Sequence, residues 1–230
     1  MAQVNFKAAG TGNATAVSSA ITTLTPSWPA VSAGNLALVQ VVCRNLTMTP
    51  TTPAGFSIVQ GPITGSTCRQ WIMGKICDGT ETGNLSITVS TSTLAKMARI
   101  YAFENNATAS YTEGATFSTG AVSSSISARP VTTLDKYRLA VTFVAVSDDN
   151  ALSPFVGETG GDWTEATPEF TTTQGLDGAL QLQIAIMASS GTITGGVSTM
   201  IAADPWILSA FAIIPASTAA GITTRIMIVD

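Results

Sequence analysis

Apolar positions recur with a period of two along most of the chain, so the pattern predicts strands rather than helices. Residues 35–43, Asn-Leu-Ala-Leu-Val-Gln-Val-Val-Cys, form an apolar run of strand length behind Ala33-Gly34. Residues 56–60 alternate after the turn Pro53-Ala-Gly55, and residues 85–89 alternate cleanly. Residues 69–76 place Trp71, Met73 and the stem of Lys75 on one face, and Ile72, Gly74 and Ile76 on the other. Asp78-Gly79 and Asp177-Gly178 read as tight turns, the second feeding a long alternating strand over residues 179–186. Each run is bounded by Gly, Pro, Asn or Asp. Residues 92–103 fit both periods: Leu94, Met97 and Tyr101 have helical spacing, while Ala98, Ile100 and Ala102 alternate.

An internal repeat resolves that ambiguity. Leu36-Ala-Leu-Val-Gln-Val-Val resembles Leu139-Ala-Val-Thr-Phe-Val-Ala, 103 residues later. Each copy continues with a polar loop, an aromatic behind a turn (Phe56, Trp163), a strand, a Gly-led strand and a closing strand. The offset grows to 112 residues through loop insertions, as in a duplicated β unit. The second closing strand, near residues 207–215, reads as β, so residues 98–103 are assigned to a strand as well. The expected fold is all-β, a β-sandwich or jelly-roll-like body of two similar halves, about residues 28–105 and 130–215. Residues 1–27 are expected as an N-terminal arm, residues 106–129 as a polar, mostly looped linker, and residues 216–230 as a C-terminal arm.

Composition then narrows the chemistry. Ten basic and fourteen acidic residues give a net charge of −4, and charged residues make up only 10% of the 230. Such a chain offers no basic face to neutralise phosphates, so nucleic-acid binding is not expected. The sequence has no histidine, which excludes Ser-His-Asp and Cys-His pairs, His-based zinc sites and histidine general bases. Cys43, Cys68 and Cys77 are an odd set without C-x-x-C spacing and read as structural thiols. Cys68 and Cys77 flank one extended element and are too far apart to be bridged. With no signal-peptide pattern and no apolar stretch of transmembrane length, a cytoplasmic site of synthesis and no membrane partner are expected.

The order Trp28-Pro-Ala…Ala33-Gly34-Asn35-Leu-Ala-Leu, Thr52-Pro-Ala-Gly55-Phe56, Glu81-Thr-Gly83-Asn-Leu-Ser-Ile-Thr and Ile100-Tyr-Ala-Phe-Glu resembles small β-rich structural proteins of tailed bacteriophages and prophages. A weaker second copy closes with Ala210-Phe-Ala-Ile-Ile-Pro. The resemblance spans roughly residues 28–215. It departs from the usual pattern at Asn35, where Asp is common, and at Phe56, where Trp is common. It implies a virion structural protein, and within that class a capsid decoration (cement) protein. That role implies a homotrimer on the capsid exterior, with the major capsid protein as partner and no cofactor.

The chemical candidates are few. Asp148, Asp149 and Asn150 put three oxygen-bearing side chains into one loop, a weak Ca²⁺ candidate whose spacing matches no EF-hand. Asp162, Glu165 and Glu169 surround Trp163, but without His or a nucleophile elbow they support no enzyme reading. The four tryptophans are expected in the core rather than stacked on sugars. Residues 223–230 alternate outside the repeat, so Ile222, Arg225, Ile226, Ile228 and Val229 are the expected interface, pairing with a neighbour by edge addition. The weakly charged Thr/Ser/Ala surface, lacking charged gatekeepers at strand edges, fits a permanent assembly. Two further readings compete: a tail, baseplate or fibre component touching host glycans, and a carbohydrate-binding module.

Overall fold

The computed structural model describes residues 1–15, 21–90, 95–172 and 178–217. It is all-β and contains no helix among these residues. The first half supplies β1 (Asn5–Ala9), β2 (Asn13–Thr15), β3 (Thr23–Leu24), β4 (Leu36–Cys43), β5 (Ser57–Thr64), β6 (Arg69–Ile76), β7 (Ile87–Thr88) and β8 (Lys96–Glu104). The second supplies β9 (Thr112–Ser127), β10 (Val131–Thr133), β11 (Arg138–Val146), β12 (Val156–Thr159), β13 (Thr164–Glu165), β14 (Phe170–Thr172), β15 (Gly178–Met187) and β16 (Gly191–Ile213).

Two large antiparallel sheets pack face to face. The first has the order β1-β8-β4-β6-β5. In the second, β16, β11, β15 and β13 follow one another, and β9 flanks β16. The two orders match strand for strand, with β9 in the place of β1. Register fixes the equivalence: Leu36 faces Ile76 and Phe103, as Leu139 faces Ile186 and Ile213. Ser57 faces Gly74 as Thr164 faces Ile184, so Phe56 and Trp163 precede equivalent strands. The closing strands align one residue away from the sequence repeat, matching Tyr101 to Phe211 rather than Ala212. Every side chain here changes face with a one-residue slip, and this register keeps both aromatics inward.

The central strands are buried on both faces, which is why they read as nearly continuous apolar runs. All eight residues of β4 and all nine of β11 are buried. One face of each sheet meets the other half, where Leu36, Leu38, Ile72, Tyr101 and Phe103 pack against Leu139, Phe143, Leu182 and Phe211. Phe143 lies edge-on to Tyr101 at 5.6 Å and stacks on Phe211 at 5.7 Å. The opposite faces carry separate cores, around Trp71, Met73, Leu24 and Ile87 in the first half, and around Phe155, Trp163, Ile126 and Ile193 in the second. Small second layers cover these outer faces: the β3–β7 pair in one half, and β10, β12 and the outer stretch of β16 in the other.

Two sequence expectations are corrected. Residues 106–129 are not mostly loop, because β9 runs for sixteen residues along β16. The described residues of the expected N-terminal arm, 1–15 and 21–27, belong to the body, because β1 and β2 pair with β8 and β3 pairs with β7. The longest missed strand of each half, β1 and β9, lies outermost beside the closing strand. It buries little apolar surface, and bulges interrupt its alternation.

Candidate functional site

The loop after β11 holds the Ca²⁺ candidate. Ser147 anchors it, its N–H and Oγ donating to Pro205 O at 3.0 and 3.1 Å. The backbone N–H of Asp149 donates to Asp148 Oδ1 at 2.8 Å, an arrangement that starts a turn. Asn150 Nδ2 donates to Asp204 Oδ2 at 2.6 Å, tying the loop to β16. No group of three or more His, Cys, Asp or Glu side chains able to hold a metal ion occurs among the described residues.

The carboxylates around Trp163 serve the backbone. Glu158 Oε1 accepts the Trp163 N–H at 2.8 Å, and Glu169 Oε2 accepts the Leu152 N–H at 3.2 Å. Burial raises the pKa of Glu169, with nearby Glu165 adding to the effect. Asp162 and Glu165 are exposed. Trp71, Trp163 and Trp206 are buried and Trp28 is half-buried, so these rings are core anchors rather than stacking platforms. The three thiols are free and buried. Burial pushes Cys43 up to about 12 and Cys68 and Cys77 up to about 11, which keeps them protonated and unreactive at neutral pH.

The surface is the other region to which the sequence points. The expected interface residues Ile222, Arg225, Ile226, Ile228 and Val229 lie outside the described residues. The last described residues, Ala216 and Ser217, line a small open depression with Ala107, Thr108 and Ala109. The strand edges are blunted without charge. On β5, the register shifts twice and Pro62 lacks an N–H. On β9, one extra residue bulges at Gly114–Ala115 and another at Ala121–Val122. Gly114 has a φ of +66°, and a Cβ there would meet Thr132 O at 2.8 Å, so only glycine suits this bulge. Large apolar side chains nonetheless stand in water, among them Ile58, Phe117, Val122, Leu134 and Ile201. Bulges shift alternation out of phase, and the sequence pattern therefore gave no sign of which apolar residues on β9 face outward.

No protein-family model matches the chain, and searches of curated proteins and of solved structures return no match.

Proposed function

We propose that the chain is a non-enzymatic structural protein of a tailed-bacteriophage virion, a decoration protein that sits as a homotrimer on the capsid exterior and stabilises the shell. The observation that carries the reading is where the polar chemistry goes. The buried glutamines and the half-buried Glu158 and Glu169 hold backbone and side-chain partners within the fold, and the thiols are buried. The outer surface offers Thr, Ser and Ala with scattered apolar side chains. Such a surface loses little hydration energy on contact, whereas burying unpaired charges would cost several kcal/mol. The turn-and-strand motifs shared with phage structural proteins set the biological context, and a closed cyclic trimer suits a site where three capsomers meet.

Binding of the purified protein to undecorated capsids tests the reading. A cement protein saturates the shell at a copy number on the order of hundreds, set by icosahedral symmetry. Deleting residues 222–230 is expected to weaken trimer or capsid binding more than it lowers the unfolding temperature. Immunogold labelling confined to tails, or a copy number on the order of tens or fewer per particle, would replace this reading with a tail component.

A further inference from the structure

The edges of the two sheets meet along a seam between β5 and β9 that has no backbone ladder. Side chains stitch it instead. Gln60 Nε2 donates to Thr116 O at 2.8 Å, Ser66 Oγ donates to Ala121 O at 3.4 Å, and Ser57 Oγ lies 3.1 Å from Tyr111 OH. Immediately beside these stitches are Ile58, Phe117 and Val122, which are 50%, 57% and 68% exposed. Glu113 is the only charged residue on β9, and Arg138 holds it at 3.0 Å. The seam is thus an uncharged ledge with three large apolar side chains in water and with backbone groups outside any ladder.

The chain leaves the described structure at one end of this ledge. Ile214 N–H donates to Tyr111 O, and Ala216 N–H donates to Asn105 O. The residues beyond Ser217 carry Ile222, Ile226, Ile228 and Val229, with Arg225 as the only charge before the terminal Asp230. Extended at about 3.3 Å per residue, this segment would reach roughly 43 Å. The ledge from Thr112 to Val122 is shorter, roughly 36 Å by the same rule.

We propose that the β5–β9 seam receives the C-terminal segment, residues 218–230, of a second copy of this chain. The segment's isoleucines cover Ile58, Phe117 and Val122, and its backbone meets the unladdered edge. A second copy is favoured over the same chain by direction. A segment turning back after β16 would have to cross β9 and lie parallel to it within a short connection, which parallel pairing disfavours. Each copy offers one seam and one segment, so exchange between copies is head-to-tail and leaves no seam unfilled when the rotation between copies closes into a ring. This inference rests on the self-assembly part of the reading above and is independent of the capsid.

The test uses the full chain without capsids. Phe117→Asp and Ile226→Asp are each expected to raise the dissociation constant of the oligomer at least about tenfold in sedimentation equilibrium. Far-UV spectra should be unchanged, because Phe117 is already half exposed; if the aspartate variant does not fold, Phe117→Ser is read in its place. Phe117→Cys and Ile226→Cys, purified separately, mixed and oxidised, should give a disulfide-linked dimer. A monomeric full chain, aspartate variants that associate like the parent, or a cross-link formed only within a chain carrying both cysteines would each overturn the proposal. Capsid binding measured in parallel separates the two readings. A cross-linked oligomer that ignores capsids keeps this inference and removes the decoration role, and a monomer that binds capsids does the reverse.

Discussion

The two halves share a strand order and a register, yet each buries a pair of glutamines on the face where the other is apolar. In the first half the pair is Gln40 and Gln70, facing the second half. Gln40 Nε2 donates to Gln70 Oε1 at 2.8 Å and to Val144 O at 3.0 Å, and Gln70 Nε2 donates to Ser209 Oγ at 2.7 Å. The equivalent positions in the second half are Phe143 and Leu180. In that half the pair is Gln181 and Gln183, on the outer face, where the first half has Trp71 and Met73. Gln183 accepts the Phe155 N–H at 2.8 Å and donates to Gln181 Oε1 at 2.7 Å, while Gln181 donates to Leu152 O at 3.2 Å. The difference follows from what covers each outer face. Apolar side chains such as Leu24, Met48 and Ile87 lie over Trp71 and Met73. Backbone from residues 152–155 crosses the equivalent face of the second half, and its polar groups need partners. The same sheet plan thus accepts an apolar or an amide lining according to the layer laid over it.

Charge divides the halves as well. Residues 1–105 carry six basic and three acidic side chains, and residues 106–215 carry three basic and ten acidic. The bases of the first half are largely spent on structure. Lys75 pairs with Glu81 at 2.7 Å, and Arg99 bonds Gly10 O, Pro168 O and Thr167 Oγ1. Asp162 and Glu165 of the second half are exposed.

The largest expected contrast lies at the equivalent aromatics. Trp163 is 4% exposed and packs on Phe155, whereas Phe56 is half-buried against Trp28. Trp163→Ala should cost about 3–5 kcal/mol and Phe56→Ala about 1–3 kcal/mol, measured by urea unfolding. Equal costs would mean that the two turns anchor their halves alike and that the difference in burial is inconsequential.

The sequence was most legible where strands are buried on both faces. β4 and β11 announce themselves because nearly every position is apolar, and β8 follows once the repeat is seen. Legibility failed where one side of a strand meets water and bulges break the period. The apolar positions of β9 change phase at Gly114–Ala115 and again at Ala121–Val122, so no long window alternates. It also failed for buried amides. Gln40, Gln70, Gln181 and Gln183 are fully buried, although in an alternating strand they read as solvent-facing. Hydrogen bonding to a distant segment, such as Gln40 to Val144 O, leaves no local signature in sequence. For the candidate site, the sequence singled out Asp148, Asp149 and Asn150 as adjacent oxygens. Adjacency alone could not show that Asn150 is engaged by Asp204, far along the chain.

A smaller effect is expected from exchanging the linings. Gln183→Met imports the residue found at the equivalent position of the first half, but it strands the Phe155 N–H and Gln181 Oε1. The expected cost is about 1–3 kcal/mol, the penalty for a buried group left without a hydrogen bond. Met73→Gln should be destabilising too, because the apolar layer over it supplies no partners. A neutral result for Gln183→Met in urea unfolding would show that residues 152–155 can re-pair, and would remove the explanation offered for the two linings.

The smallest contrast concerns an ion pair that only one half has. Lys75 and Glu81 are 21% and 3% exposed at their side chains, and Lys75 Nζ lies 5.8 Å from the Trp28 ring centre. The register makes Ala185 the equivalent of Lys75, so the second half has no such pair. Burial works against the Glu81 charge, but bonds from Lys75 and from the backbone N–H groups of Asp78 and Gly79 outweigh it, and its pKa falls below 4.5. The hydrogen bond that Lys75 donates to Glu81 raises the pKa of Lys75 above 10.5, against the opposing effect of burial. The signs then follow. The Glu81 contribution is complete above its unfolded value of about 4.5 and disappears as pH falls through the depressed folded value. The Lys75 contribution is complete below about 10.5 and disappears as pH rises through the raised one. Glu81→Gln should cost about 1–2 kcal/mol at pH 7, between an exposed and a buried pair. The gap between parent and variant should close as the acid limb is descended. A gap that stays constant from pH 7 to below pH 3 would assign the loss to the packing of residues 78–81 rather than to charge.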